Sequence, residues 1–286
     1  MTDSEAARAK LQDVEVMYFD VFGTVVDYVD TVTRALRREI DQTRMADEHL
    51  LRALQQDYDW RHFTIAWRSE YKRETQRLAA LGNPDRVTVD QMHLAALDRL
   101  LSDLPFADRT CVPESIRKGG VEAASKHLEQ AWTADTRARL NHTWHLLDPW
   151  KDSVQGLESL AETHKIGTLT NGNLNLMVDM AKHARLPWHF ILSADLMGSF
   201  KPDPKMYTSA MALFDIDRSS NPTRACMVAA HLYDLQAAKE CGMTTVFVSS
   251  RPTEDSLPPE GKPSYVDIVV DDLLGLARLA SPSPTK

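Results

Sequence analysis

Apolar positions along this chain follow two rhythms, one short and strand-like, the other spaced for helices. Residues 14–19 (VEVMYF) form an apolar, β-branched run that stops at Asp20, and Val21-Phe22-Gly23-Thr24 reads as a tight turn. Asp20 is therefore expected at the C-terminal tip of a strand. Over residues 30–80 the spacing becomes helical, with Val32, Leu36 and Ile40 on one face and Phe63, Ala66 and Tyr71 in a second stretch rich in Arg and Glu. Gly82-Asn83-Pro84 interrupts this pattern, and Met92, Ala95, Ala96, Arg99 and Leu100 resume it. The polar, Pro- and Gly-containing residues 105–120 read as a loop within an all-helical insertion.

After Pro149 strands and helices alternate. Strands are expected at 166–169, 190–193, 225–229, 244–248 and 268–270, with helices at 175–184, 204–214 and 232–241. Alternation of this kind implies an α/β fold, a Rossmann-like parallel sheet core with helices on both faces. The first strand is separated from its sheet-mates by more than a hundred helical residues. The expected organisation is thus a core of residues 1–27 and 149–286 and a helical cap domain, 28–148, inserted over the strand tips, where open α/β sheets bind ligands. The closing SPSPTK reads as disordered, and no internal repeat is seen.

Composition narrows the function classes. With 286 residues, 43% hydrophobic and 26% charged, the chain reads as globular, and no apolar run reaches the roughly 18 to 20 residues that span a bilayer. A net charge of -8 argues against nucleic acid or an anionic membrane as partner. The polar, acidic start lacks the form of a secretory signal, so a cytoplasmic location is expected. Cys111, Cys226 and Cys241 fit neither a disulfide framework nor a zinc pattern.

Four segments are expected to meet at one sheet edge: Asp20-Val21-Phe22-Gly23-Thr24, Thr170-Asn171-Gly172-Asn173, Lys201-Pro202-Asp203-Pro204 and Ala229-Ala230-His231-Leu232-Tyr233-Asp234. Together they supply two carboxylates, a lysine, a hydroxyl and an amide, an inventory suited to nucleophilic catalysis by a carboxylate on a small anion. Each has a plainer reading: Asp20 as a turn residue, Thr170 and Asn171 as caps of the next helix, Lys201 as a solvated surface lysine. In order and over nearly the full length, the four segments resemble the motifs of the haloacid dehalogenase-like hydrolases. The resemblance makes Asp20 the covalent nucleophile and Lys201 the cation that steadies it.

Two departures from the superfamily's phosphatases point to a branch. Those enzymes place a general acid/base Asp two residues after the nucleophile and hold Mg²⁺ with a late pair of carboxylates. Here the first position is Phe22, and the late motif has Ala230 with only Asp234 remaining. Halide departure needs no proton and a monoanionic acid needs no divalent ion, so no metal and no cofactor are expected. The chain is most similar to the type II, or (S)-2-haloacid, dehalogenases, which carry an aromatic residue at the position of Phe22 and a Trp-Arg pair in an early cap helix, as Trp67-Arg68 does here.

The resemblance implies the remaining roles. The substrate carboxylate would lie on the backbone amides of Val21 and Phe22 and the hydroxyl of Thr170, with Thr24 also in the binding site. Arg68, Asn171 and Tyr233 would receive the halide, and Asp234 with His231 would orient or activate the water that hydrolyses the ester. Arg68 has the alternative of a surface residue on an Arg-rich helix. His231 stands where the best-known members have asparagine, and it reads either as a base near neutral pH or as a hydrogen-bonded residue at a helix start. The implied substrate is a small 2-haloacid, the other product a halide ion, and the implied assembly a homodimer. The competing readings are a phosphatase acting on a small phosphomonoester and a catalytically silent binding protein on the same fold.

Overall fold

A computed structural model of the chain describes residues 3–81, 87–108 and 112–281. Gly82-Asn83-Pro84, Cys111, part of the predicted 105–120 loop and nearly all of the closing tail lie outside the described residues. The chain divides into two compact units, Met1–Asp27 with Leu78–Arg86 and Asp148–Lys286, and Tyr28–Arg77 with Val87–Leu147.

The first unit is built on six parallel strands: β1 (Val16–Phe19), β4 (Lys165–Thr170), β5 (Phe190–Ser193), β6 (Ala225–Ala229), β7 (Thr244–Val248) and β8 (Ile268–Val270), in the order β5-β4-β1-β6-β7-β8. Flanking helices bury these strands, which is why they read as continuous apolar runs rather than alternating ones. The chain winds from β1 through β4 to β5 on one side, then returns to β6 beside β1 and continues outward. β1 is therefore the point at which strand order reverses, and the crevice at its C-terminal end is the place such sheets reserve for chemistry. Register fixes what lies there: Phe19 is opposite Thr168 of β4 and Val228 of β6, so the residues just beyond all three strands share one edge.

A two-residue antiparallel ribbon, β2 (Val26–Asp27) with β3 (Asp148–Pro149), follows the turn after β1. The Val25 carbonyl accepts from Trp150 N at 3.1 Å and from Ser153 Oγ at 2.6 Å.

The second unit is helical and has its own core. Its helices include Tyr28–Gln42, Glu48–Gln56, Val89–Ser102, Val121–Ala131 and Ala134–His142, and Trp60–Leu81 runs through it. Val32, Leu36 and Ile40 are buried as their spacing predicts, and Trp60, Phe63, Trp67, Trp132 and Trp144 fill the interior. Asp47 and Thr88 cap their helices, Thr88 in a reciprocal box with Gln91.

Several helices escaped the sequence reading, among them Ser153–Ala161, Ala194–Met197 and Leu273–Ala280, and two others show why. Glu114–Gly119 forms a helix inside the stretch read as loop; it is a six-residue element that buries only Ile116 and so shows little periodicity. Asp3–Leu11 is helical although its sequence is polar. Its Arg8 donates to the carbonyls of Arg278 and Ser281 at the end of the helix Leu273–Ala280, a tertiary contact that local pattern cannot reveal. Among the described residues no helix is long and apolar enough to cross a membrane.

Candidate active site

Asp20 follows β1 directly and is buried, 5% exposed. Each of its carboxylate oxygens is held. Oδ1 accepts from the Lys201 ammonium at 2.8 Å, and Oδ2 lies 2.8 Å from the Thr24 hydroxyl and 2.9 Å from His231 Nδ1. The Thr24 hydroxyl also accepts from Ala230 N at 2.9 Å, so it ties the turn after β1 to the turn after β6. Thr24 is itself fully buried and serves Asp20. Lys201 Nζ reaches on to Asp234, whose other oxygen accepts from Tyr207 OH at 2.6 Å.

Charge, rather than solvent, decides protonation here. Burial alone would push the Asp20 carboxyl up, but the Lys201 ammonium and the His231 ring beside it hold it well below the usual carboxylate range. Burial works against the Lys201 cation, and Asp20 and Asp234 overcome it and raise its pKa. Asp234 shifts upward, because burial and the Asp20 charge outweigh Lys201. His231 is desolvated too, yet Asp20 first and Glu254 second raise its pKa to about 9. With Asp20 ionised, His231 is thus an imidazolium at neutral pH.

His231 occupies the N-cap position of the helix Leu232–Glu240, but its ring makes no cap hydrogen bond. It points instead between two carboxylates, Nδ1 toward Asp20 and Nε2 2.7 Å from Glu254 Oε2. The Asn171 side chain is joined to the backbone of the lysine segment, its Oδ1 accepting from Lys201 N at 2.7 Å and its Nδ2 donating to Lys201 O at 3.3 Å. Thr170 ends β4, buried, and its hydroxyl accepts from Gly172 N at 3.2 Å. Val21 and Phe22 are buried in the turn after Asp20, and the Tyr233 ring lies 5.6 Å from that of His231.

The chain as a whole, rather than this cluster, can be set beside known proteins. A family model described as haloacid dehalogenase-like hydrolase matches residues 14–242. The chain belongs to this family. An L-2-haloacid dehalogenase of known structure is 30% identical, with 94% of this chain and 100% of that one covered and a TM-score of 0.68. A defluorinating L-2-haloacid dehalogenase is 29% identical, with 93% and 94% covered and a TM-score of 0.68. The L-2-haloacid dehalogenase of Xanthobacter autotrophicus, solved with chloropropionic acid covalently bound, shares the fold at 18% identity, 93% and 98% coverage and a TM-score of 0.65. No curated protein sequence matches the chain significantly.

The haloacid dehalogenase-like core thus brings Asp20, Thr24, Lys201, His231 and Asp234 into one bonded cluster, with Asn171 fastened to its lysine. Arg68 belongs to the helical unit. It is buried there, not a surface residue, with its guanidinium 4.6 Å from the Tyr71 ring centroid and 5.4 Å from that of Tyr28. Burial, with the Arg68 charge second, keeps the buried His93 well below its ordinary pKa.

Sequence reading missed the loop after β7, which supplies three groups to the site. Arg251 Nε donates to Thr24 O at 2.9 Å, and its two terminal nitrogens grip Asp152 at 2.8 and 2.7 Å, so the turn after Asp20 hangs on a buried bidentate ion pair. Glu254 meets His231. Asp255 accepts from Leu232 N at 2.7 Å, taking the cap that His231 leaves open. The available signal was positional: a polar Ser-Ser-Arg-Pro-Thr-Glu-Asp stretch directly after a predicted strand emerges at the same sheet edge as the four recognised segments. Tyr207 was also missed; it lies on the helix Pro204–Ala212 that opens after the lysine segment.

Proposed function

We propose that this hydrolase removes the halogen of a small 2-haloalkanoic acid through an ester on Asp20, without a divalent metal. The observation that carries the reading is an Asp20 carboxylate kept ionised by Lys201 and His231 at the tip of β1, next to Phe22 where a proton-donating Asp would be required for phosphate chemistry.

The donor set does not suit Mg²⁺. Both Asp234 oxygens are engaged, by Lys201 and Tyr207, residue 230 is Ala, and the cations of Lys201 and His231 already compensate Asp20. A hard cation needs several free oxygen ligands, so no step is routed through one. Halide needs no proton to leave carbon, and the absence of an acid at residue 22 costs this reaction nothing.

The substrate carboxylate lies on the amides of Val21 and Phe22 and the Thr170 hydroxyl, which hold C2 in line with Asp20. An Asp20 oxygen forms a bond to C2 as the carbon–halogen bond breaks, and the halide leaves with the electron pair toward Asn171 and Tyr233. Water then adds to the Asp20 carbonyl carbon, the 2-hydroxy acid departs, and the carboxylate is restored. Asp234 acts by holding Lys201 in place, and the site needs no cofactor. Small 2-haloacids are the expected partners in a cytoplasmic enzyme.

Halide release from 2-chloropropionate in the presence of a chelator tests this reading. Sustained turnover that vanishes in Asp20→Asn supports it. Mg²⁺-dependent phosphate release from small phosphomonoesters with no halide release defeats it in favour of a phosphatase, and inactivity in both assays favours a binding protein.

A further inference from the structure

His231 faces charge on both sides. Its side chain is 1% exposed, Nδ1 is 2.9 Å from Asp20 Oδ2, and Nε2 is 2.7 Å from Glu254 Oε2. The other charged and titratable groups around it are Lys201 on the far oxygen of Asp20, Asp234 beyond Lys201, and the Tyr233 ring at 5.6 Å.

Glu254 is seated as firmly as the histidine. Its side chain is 4% exposed, Oε1 accepts from Thr253 Oγ1 at 3.0 Å, and its carboxyl rests against Gly23. Gly23 has φ +81°, and a Cβ there would come within 2.4 Å of the Glu254 carboxyl carbon. The bare glycine in the nucleophile turn therefore leaves the space in which Glu254 meets His231.

We propose that His231 is the base that activates the hydrolytic water, that it becomes available only when Asp20 is alkylated, and that Glu254 is the positioning residue that orients it. The inference rests on the ester route above. In the resting site His231 carries a proton and helps hold Asp20 ionised. Ester formation removes the Asp20 charge, and with it the foremost influence that favours the protonated ring; burial, which disfavours it, remains. His231 then releases its Nδ1 proton to solvent while Nε2 keeps its proton beside the Glu254 carboxylate, 2.7 Å away.

The balance closes. Water adds through oxygen to the Asp20 carbonyl carbon and gives one proton to Nδ1. Collapse breaks the bond between that carbon and the ester oxygen, and the departing oxygen takes the proton from His231 to become the 2-hydroxyl. Asp20 is left as the acid and returns its proton to Nδ1, restoring the resting ion pair. Per turnover one halide and one proton leave, and the proton leaves with the alkylation step.

The test uses the full-length protein with 2-chloropropionate in single turnover, read by halide, acid-quenched mass of the Asp20 peptide, and a pH indicator in weak buffer. His231→Asn is expected to release about one halide per site and retain the adduct, with hydrolysis slowed about 10²- to 10⁴-fold. Glu254→Gln is expected to slow adduct decay roughly tenfold or more and to move the acid limb of that decay to lower pH, because a charge that favoured the imidazolium has gone. A merely structural Glu254 would leave that limb in place. In Glu254→Gln the halide burst should carry one proton, and in the Glu254→Gln/His231→Asn double variant none.

Unslowed turnover or absent adduct in His231→Asn, while the parent protein releases halide, overturns the base assignment. Equal proton yields in the two Glu254→Gln backgrounds overturn the gating. An unmoved limb overturns the role of Glu254. If the parent protein releases no halide at all, the ester route itself has failed.

Discussion

Replacing Lys201 by methionine probes the charge balance on which the site depends. The side chain is 1% exposed and its ammonium joins Asp20 and Asp234, both buried. Methionine keeps most of the stem's volume, so the loss is chiefly electrostatic. Removing one partner of a buried ion pair typically costs about 3–5 kcal/mol, a large share of the roughly 5–15 kcal/mol that stabilises a domain. Part of the cost is relieved as one of the two carboxylates takes up a proton. Asp20 keeps His231 and Thr24 but loses the foremost charge that lowers its pKa, so the acid limb of halide release must move to higher pH. Urea unfolding at neutral pH and a pH–rate profile measure the two effects. A variant within about 1 kcal/mol of the parent, with its acid limb unmoved, would refute the assignment of Lys201 as the counter-charge of Asp20.

The pH dependence of stability offers an independent check. His231 titrates at about 9 in the folded protein against an ordinary 6.5, so its contribution is complete below about 6.5 and is lost as pH rises through about 9. That is on the order of 3 kcal/mol; denaturant unfolding across this window should fall more steeply for the parent protein than for His231→Asn, and parallel curves would contradict the ion pair. Asp20 has the opposite sign: its pKa is lowered on folding, so its contribution holds above about 3.8 and is lost as the pH falls further. Asp152→Asn should cost about 3–5 kcal/mol by leaving the Arg251 cation buried without its bidentate partner. It should also lower halide release, since Arg251 fixes the Thr24 carbonyl; thermal unfolding and kcat/KM measure both, and an unchanged kcat/KM would show that the turn is held without this pair.

Much of the core was readable because buried parallel strands give apolar runs of defined length. The segments 190–193, 225–229, 244–248 and 268–270 match the observed strands at both ends. The four chemical segments were recognisable because each follows such a run directly or, for the Lys201 segment, after the short helix Ala194–Met197. What could not be read depends on distance through space. Glu254 meets His231 only because the loop after β7 folds back over the turn that follows Asp20, and Gly23 makes room for it. His231 could be placed at a helix start from sequence, but its orientation away from the cap and onto Asp20 follows from Asp255 taking the cap position. The N-terminal helix shows the same limit, its polar sequence being held by Arg8 against a helix end some 270 residues away.

Isotope incorporation tests the central claim, a covalent displacement by Asp20, most directly. A single turnover of excess enzyme with 2-chloropropionate in ¹⁸O-labelled water, followed by mass analysis of the Asp20 peptide and of the hydroxy acid, separates the routes. Hydrolysis of an aspartyl ester places the label in the Asp20 carboxylate and leaves the first-turnover product unlabelled. Label in the product with none in Asp20 would mean that water attacks carbon directly, and the account would be wrong.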